Sequence, residues 1–342
     1  MNSKYFLGAN SSLGFYSLYD GFCRGSGDYL SIIKGGPGTG KSGFMRRIGA
    51  AAEMRGYDVE YVLCSGDSAS LDGVYIPAVR RGWMDGTAPH GTEPPRFGVD
   101  GDYVDLSRFC RTPLEKTAAC AAGELYTAYK AQYASAYGFL GALSSVKGTY
   151  CTPLSEREKR AAEKRAEAVF PKRRRGSADG KAARRFLRCL CGEGEMRLSD
   201  ELEKQERVYI LAGREALSGY ALRYISGEAR RRGFDVVNCL SPLCPDDLEA
   251  VIIPEAGIAA AGEGYALNGA KRIELDGAEA PKPPENSLFN CGEIEKTLTD
   301  SAFSGFARAK KLHDELEEIY KRAMDFDALT AFTDVYINSL FA

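Results

Sequence analysis

The spacing of apolar residues near the N-terminus predicts a buried strand followed by a helix. Residues 29 to 33 (YLSII) form a short apolar run rich in β-branched side chains, which is typical of a buried strand. Residues 42 to 56 place Phe44 and Ile48 at helical spacing, and Gly56 provides a stop signal. The glycine-rich chain between the two segments is therefore a strand-to-helix turn.

The same succession of predicted strands and helices occurs twice along the chain. Three pairs of similar segments carry the repeat: RGYDVEYVL (55–63) with RGFDVVNCL (232–240), LDGVYIP (71–77) with LEAVIIP (248–254), and FLGANSSLGFYSLYD (6–20) with FLRCLCGEGEMRLSD (186–200). They predict one α/β unit used twice. A length of 342 residues leaves room for about two domains, which we assign to residues 1–175 and 176–342.

Each repeat also carries a long helical segment after its core. Residues 113 to 143 follow a helical pattern, and their counterpart covers residues 306 to 326. One face of the first helix carries Tyr126, Tyr129, Tyr133, Tyr137 and Leu140. Alanines between the rings favour close helix–helix packing, and stacking of the rings on nucleobases is the alternative.

A strongly basic stretch, residues 156 to 188, separates the two repeats. Its first part is a predicted helix that Ser155 caps and Pro171 ends, and residues 176 to 180 are the expected domain junction. The charge pattern favours a solvated, mobile linker over a contact with phosphate or nucleic acid. The candidates for a charge-stabilising finger are Arg173, Arg174 and Arg175, and nothing distinguishes one of them.

Composition narrows the classes of function. The net charge of -2 gives no support for a chain that coats nucleic acid or an anionic membrane. No run of about 18 apolar residues predicts a membrane span, and no secretory segment is visible, so a cytoplasmic location is expected. Ten cysteines without a Cys-x-x-Cys pair, together with only two histidines, predict free and mostly buried thiols rather than a metal site.

The turn at residues 35 to 42 has the Gly-x-x-x-x-Gly-Lys-Ser pattern of a phosphate-binding loop. Glycines let backbone N–H groups surround a phosphate without Cβ atoms in the way, and the helix start adds a positive dipole end. Lys41 would reach the β and γ phosphates of ATP, and the Ser42 hydroxyl would ligate Mg²⁺. The predicted nucleotide-binding residues are Gly35, Gly36, Pro37, Gly38, Thr39, Gly40, Lys41, Ser42 and Gly43. The alternative is a glycine-rich turn with an incidental lysine.

The second repeat lacks this chemistry. At an offset of 177 residues, Ser218 stands opposite the loop lysine and Gly219 opposite the metal-binding serine. We therefore expect one working nucleotide site and a degenerate second copy that acts as a lid, a regulatory partner or a scaffold.

The other half of the site requires a carboxylate at the end of a neighbouring strand, to hold Mg²⁺ or to position water. Asp85 is the candidate metal ligand, because its counterpart Gly262 lies in the repeat that has lost the lysine; a plain Asp-Gly turn is the alternative. Asp67 is the candidate for positioning water or substrate. Asp72 faces Glu249 and is expected to be structural.

The two histidines of the chain are expected outside the phosphate chemistry. His90 is predicted to be a hydrogen-bonded surface group, with contact to a phosphate or polarisation of a water as the alternative. His313 is predicted to occupy an exposed helix position.

The segments FLGANSSLGFYSLYDG, IIKGGPGTGKS, YDVEYVLCSGDSASLDGVYIP and MDGTAPH together resemble a family of bacterial P-loop ATPases with a duplicated core. The resemblance extends to KKLHDELEEIYKRAMDF near the C-terminus and so covers nearly the whole chain. It implies ATP binding, two P-loop-type domains and a cytoplasmic setting, and it implies no particular substrate. In that family both copies commonly bear a recognisable loop, whereas here the second copy does not.

Pattern, repeat and resemblance together predict an α/β protein of two tandem P-loop NTPase-like domains, each a three-layer α/β/α sandwich with helical appendages. The expected function is that of a Mg²⁺-dependent ATPase in which Lys41, Asp67 and Asp85 stabilise charge and position metal or water. The alternatives are a small-molecule or nucleotide kinase and a nucleotide-gated scaffold without hydrolysis. A Ras-like GTPase is disfavoured because no Asn-Lys-x-Asp motif is present.

Overall fold

The computed structural model describes residues 2–87, 93–94, 96–149, 151–170, 178–265, 267–275 and 291–342. The first half contains β1 (Ser3–Phe6), β2 (Gly8–Ser11), β3 (Gly14–Ser17), β4 (Tyr29–Lys34), α1 (Lys41–Glu53), β5 (Glu60–Leu63), β6 (Leu71–Ile76), β7 (Arg81–Asp85), β8 (Gly101–Asp105), α2 (Lys116–Gly148) and α3 (Glu156–Ala166). The second half contains β9 (Ala182–Arg185), β10 (Arg188–Cys191), β11 (Gly194–Arg197), α4 (Asp200–Glu203), β12 (Arg207–Ala212), α5 (Glu215–Arg231), β13 (Val236–Leu240), β14 (Leu248–Ile253), β15 (Ile258–Gly262), β16 (Lys271–Glu274), α6 (Cys291–Lys321) and α7 (Phe326–Leu340).

The two halves are built on the same sheet. The first has the strand order β1-β5-β6-β7-β4-β8, and the second has β9-β13-β14-β15-β12-β16, which is the same order with each strand replaced by its counterpart. In each sheet five strands run one way and the third strand, β6 or β14, runs against them. The prediction of an α/β protein with two similar units is confirmed.

Among the described residues, the long helices cover only one face of each sheet, so the expected three-layer sandwich is wrong. Successive side chains of a strand point to opposite faces, and β4 shows the consequence. Ile33 packs beneath α1, whereas Ile32 enters a core shared by both halves. The hairpins β2–β3 and β10–β11 contribute Ala9 and Cys189 to that shared core. The inner faces bury their apolar side chains against the other half instead of against helices.

The last helix of each repeat packs on the other repeat. In α7, Phe332 stacks on Phe44 of α1 with ring centroids 6.1 Å apart, and the Trp83 indole Nε1–H donates to the Tyr336 hydroxyl at 2.8 Å. Likewise α3 packs on α5, where the Tyr220 hydroxyl donates to a carboxylate of α3 at 2.6 Å. The boundary between residues 175 and 176 therefore separates the sequence repeats but not two independently packed bodies.

The predicted helix after Ser155 is present, but the interpretation of residues 156–188 as a solvated linker is wrong for 156–170 and for 182–188, where β9 pairs with β13 and Phe186 is fully buried. Ser155 and Glu158 form a reciprocal capping box that satisfies orphan N–H groups at the start of α3. Ala162, Ala166 and Val169 are fully buried against the second half. The apolar face of the helix therefore anchors it to the protein, and only its charged face is solvated.

Helices α2 and α6 form a long antiparallel pair, which agrees with the predicted helix–helix packing. Gly305 lies so close to α2 that a Cβ atom there would approach the Ala136 Cβ to 3.0 Å. Beside this contact, Phe306 packs against Tyr133 and Tyr137 with ring centroids 5.7 and 5.8 Å away. Small residues let the two backbones approach, and the aromatic rings fill the space on either side.

All ten cysteines are free thiols. Cys189, Cys191 and Cys239 are buried, while Cys120 and Cys151 are exposed and the other five are intermediate. The expectation of free thiols is met, but fewer of them are buried than predicted. None of the helices in the described ranges is long and apolar enough to cross a membrane.

Candidate functional site

The glycine-rich turn joins β4 to α1 as the sequence predicts. Gly38 and Gly40 adopt left-handed conformations, with φ of 67° and 86°, which only glycine adopts without strain. The Thr39 hydroxyl donates to the Gly36 carbonyl at 2.8 Å and holds the turn together. No hydrogen bond among the described residues uses the backbone N–H groups of residues 38 to 43. These donors are free to bind an anion.

Lys41 lies in the first turn of α1 and folds back over the loop. Its Nζ donates to the carbonyl oxygens of Gly35 at 3.0 Å and Gly36 at 2.7 Å. The same atom lies 3.7 Å from a carboxylate oxygen of Asp85. Both side chains are about nine-tenths buried, with 10% and 13% of their surface exposed. The ammonium group is thus held at the mouth of the loop beside a buried carboxylate.

Asp85 reaches this position because β7 is the parallel neighbour of β4. The two strands pair with Ile33 beside Asp85, so their carboxyl ends meet at the edge where the loop begins. The Oδ1 atom of Asp85 accepts two hydrogen bonds from Thr87, one from its N–H at 2.8 Å and one from its hydroxyl. Its second oxygen is the one that faces Lys41. The structure therefore brings together two residues that are 44 positions apart in the sequence.

Ser42 lies beside the start of β6, the strand that pairs with β7. Its Oγ accepts a hydrogen bond from the Leu71 N–H at 2.9 Å. A serine hydroxyl has a second lone pair and a proton, so this bond leaves it able to contact a ligand.

The two rival carboxylates, Asp67 and Asp72, have different surroundings. Asp67 follows β5 and is partly exposed, and its Oδ2 lies 3.7 Å from the Nζ of Lys310. Asp72 is buried and accepts a hydrogen bond from the Tyr19 hydroxyl at 2.6 Å. Burial, reinforced by the Asp72 carboxylate, raises the pKa of Tyr19 well above its ordinary value. This pairing fits the structural role expected for Asp72.

A cavity of about 910 Å³ opens over the loop. Its lining includes Pro37 to Gly43 with Asp85 and Thr87 at the loop, together with Asp67 and Asp72. The opposite wall comes from α2 and α6, with Tyr126, Tyr129, Lys130, Tyr133, Tyr137, Lys310, His313, Asp314, Glu317 and Lys321. A cavity of this size is in the range of small-molecule binding sites.

Helices α6 and α7 of the second repeat press directly on the loop of the first. A Cβ atom at Gly38 would lie 2.6 Å from the Glu317 carbonyl oxygen, and one at Gly40 would lie 2.8 Å from Leu329. The loop glycines are thus required for the approach of α6 and α7 as well as for the backbone turn. Sequence reasoning did not place α6 in the site.

The prediction that His313 is an exposed helix position is wrong. It is partly buried on the cavity wall, where its ring lies 5.6 Å from that of Tyr129 and nearly perpendicular to it. Burial lowers its pKa, and the carboxylates of Glu317 and Asp314 oppose the shift. A signal was present in the sequence: Lys310, His313, Asp314, Glu317 and Lys321 recur at helical spacing and form one polar stripe.

The turn between β12 and α5, the counterpart of the glycine-rich loop, is too short to surround phosphates in the same way. Strand β12 ends at Ala212 and α5 begins at Glu215, so two residues replace the glycine-rich turn. Ser218 and Gly219, opposite the lysine and serine of the first loop, are buried inside α5. The guanidinium of Arg214 in the remaining turn binds Thr152 at 2.9 Å and also contacts Glu158. An added helical turn and an ion pair take the place of the phosphate site.

No known protein family, curated protein or solved structure matches this chain. The geometry of the loop and cavity therefore carries the functional argument. His90 and the three candidate finger residues, Arg173, Arg174 and Arg175, lie outside the described residues.

Proposed function

We propose that the protein binds Mg²⁺-ATP at the loop of residues 35 to 42 and hydrolyses it, as a P-loop ATPase with one working site. The observation that carries the proposal is the placement of Lys41 beside Asp85, at the joined carboxyl ends of β4 and β7. A lysine for the phosphates and a strand-end carboxylate for the metal are the two charged parts that such a site requires.

The residues present fit a triphosphate. The unused N–H groups of residues 38 to 43 converge at the start of α1, where the helix dipole also favours negative charge. The Lys41 ammonium is bound by the backbone carbonyls of Gly35 and Gly36 and lies beside Asp85, so a phosphate would have to replace these partners. The left-handed Gly38 and Gly40 keep Cβ atoms out of the cradle.

The residues also fit Mg²⁺ bound in the manner typical of nucleotide sites. Among the described residues, no group of three or more His, Cys, Asp or Glu side chains is placed to hold a metal by itself. Magnesium at phosphate sites usually takes one or two protein ligands and completes its shell with phosphate oxygens and water. Ser42 and Asp85 would supply those protein ligands, and the ion would neutralise charge on the phosphates.

Each side chain then has a defined task. Lys41 and the loop N–H groups stabilise negative charge as it develops on the transferred phosphoryl group. Asp67 lines the same cavity and would orient a water for attack, and Lys310, 3.7 Å from it, adds a positive charge. The second repeat contributes α6 and α7 as a fixed cover over the loop.

A kinase that transfers the phosphoryl group to a small molecule is the second candidate. The cavity extends past the loop to Asp67 and to the wall of α2, which leaves space beside a nucleotide for an acceptor. Release of phosphate without any added acceptor supports the ATPase, whereas turnover that requires a metabolite supports the kinase.

The test is ATP binding and phosphate release by Lys41→Ala and Lys41→Met variants, measured by calorimetry and a phosphate assay. We expect both activities to be lost while circular dichroism shows a retained fold. Lys34→Ala is the matched control, because Lys34 ends β4 next to the loop but pairs with Glu93 at 3.1 Å instead. Unchanged ATP affinity and turnover in both Lys41 variants would refute the assignment.

A further inference from the structure

Two tyrosines on the cavity wall have rings that the packing of the protein leaves accessible. Tyr126 is 43% exposed, and its ring meets that of Tyr129 edge to face, with centroids 5.3 Å apart. Further along α2, Tyr133 and Tyr137 are different: both pack on Phe306, and the Tyr137 hydroxyl donates to Asn10 at 2.9 Å. Tyr133 and Tyr137 therefore contribute to helix packing, whereas part of the surface of Tyr126 and Tyr129 remains open to the cavity.

The ring of His313 from α6 completes an aromatic corner with these two tyrosines. It stands at 88° to the Tyr129 ring, at a centroid distance of 5.6 Å. The Lys130 ammonium lies over one face of the Tyr126 ring, 4.1 Å from its centroid, and Asp314 follows the histidine on the same wall. Aromatic rings close to hydroxyl, ammonium and carboxylate groups suit a flat heterocycle that carries ring nitrogens or an exocyclic amine.

The corner lies within reach of the phosphate loop. His313 is one helical turn from Glu317, whose carbonyl oxygen would lie 2.6 Å from a Cβ atom at Gly38 of the loop. One turn of α-helix rises about 5.4 Å, a distance that a sugar bridges between a base and its phosphates. Loop and corner line the same continuous cavity.

We propose that Tyr126, Tyr129 and His313 form the subsite for the base of a nucleotide whose phosphates lie in the loop of residues 35 to 42. The inference rests on the proposed function for the phosphates. It adds that an aromatic base is recognised by α2 of the first repeat together with α6 of the second. Nucleotide binding then couples the two repeats, because each contributes one side of the base subsite.

The experiment compares ATP with inorganic triphosphate, which has the phosphates and no base. Calorimetric affinities are measured for the wild-type protein, Tyr126→Leu/Tyr129→Leu, Tyr129→Phe and the control Phe139→Leu. Phe139 is 36% exposed on α2 and does not line the cavity. We expect the double variant to bind ATP about fivefold more weakly or worse, with triphosphate affinity unchanged. Tyr129→Phe, which keeps the ring, and Phe139→Leu should both resemble the wild type.

Adenosine separates the two proposals, since it has a base and no phosphates. Saturation-transfer NMR should detect adenosine bound to the wild type and to Lys41→Ala, and should show the signal lost in the double tyrosine variant. An equal loss of ATP and triphosphate affinity in the double variant would show that the tyrosines only shape the cavity. Unchanged ATP affinity in the double variant, or adenosine binding that ignores the tyrosines, would overturn the base subsite. Failure of the wild type to bind triphosphate would instead overturn the phosphate site.

Discussion

Phe6 and Phe186 occupy equivalent positions in the two repeats and are hydrogen-bonded to each other. The backbone N–H of each donates to the carbonyl oxygen of the other, and both bonds measure 2.9 Å. A reciprocal pair of this kind is the mark of a two-fold relationship, in which the same surface patch serves both partners. The two repeats of the chain are therefore related by an approximate two-fold axis, as the subunits of a homodimer would be.

The same symmetry explains why the last helices are exchanged. Helix α3 of the first repeat covers α5 of the second, and α7 of the second covers α1 of the first. The first exchange places Glu158 of α3 against Arg214 of the degenerate turn, and the second places Leu329 of α7 against Gly40 of the glycine-rich loop. The two copies have diverged in chemistry while keeping the same mutual packing.

The hydrogen bond from Trp83 to Tyr336 tests the docking of α7. Trp83 is fully buried, and its indole N–H donates to the Tyr336 hydroxyl at 2.8 Å. We expect Tyr336→Phe to lower the free energy of unfolding by about 1–3 kcal/mol, because it leaves a buried donor without a partner. Val335→Ala, at a side chain that is 69% exposed, should change it by less than about 0.5 kcal/mol. Denaturant titration measures both, and equal stabilities would argue against the docked position of α7.

Gly38 tests the close approach of α6 to the loop. Gly38→Ala would place a Cβ 2.6 Å from the Glu317 carbonyl oxygen and force a left-handed conformation on alanine. We expect a loss of more than about 1 kcal/mol of stability. Gly43→Ala in α1 meets open space and should be neutral or stabilising by about 0.5–1 kcal/mol. Thermal unfolding distinguishes the two, and a harmless Gly38→Ala would contradict the contact.

Asp105 is a structural counterpart of Asp85, so comparing variants of the two residues tests metal binding separately from turn formation. Asp105 ends β8 on the other side of β4 and, like Asp85, accepts hydrogen bonds from the N–H and hydroxyl of the residue two positions later. We expect Asp85→Asn to lower Mg²⁺-dependent ATP turnover by about tenfold or more, since even outer-shell partners of a metal matter by that factor. Asp105→Asn should keep full turnover. Equal activity of the two variants across a magnesium titration would show that Asp85 only forms its turn.

The lowered pKa of His313 predicts a pH dependence of stability. The folded protein disfavours the imidazolium form, whereas the unfolded chain protonates near the ordinary pKa of about 6.5. The unfolded state therefore binds more protons below that pH, and stability falls as the pH drops from about 6.5 through the folded pKa. His313→Gln should flatten this part of the curve, as denaturant titrations at a series of pH values would show. If the free energy of unfolding depended on pH in the same way in that variant, other titrating groups would be responsible for the effect.

The sequence by itself determined the local parts of the candidate site. Four glycines, a lysine and a serine between an apolar run and an amphipathic helix define the strand, loop and helix, because those preferences act over a few neighbouring residues. The repeat was equally visible, since similar segments recur at a nearly fixed offset. The joint loss of Lys41 and Asp85 in the second copy also predicted that the two residues belong to one site.

Only the tertiary structure decided what surrounds the loop. The exchange of α3 and α7, the shared core behind the sheets and the approach of Glu317 to Gly38 all join residues that are far apart in the chain. An amphipathic helix shows that it must bury one face, but its sequence does not say against which surface. That choice depends on how the two sheets meet at Phe6 and Phe186, and no local preference encodes it. The cavity wall therefore came from α6, a helix that the sequence did not assign to the nucleotide site.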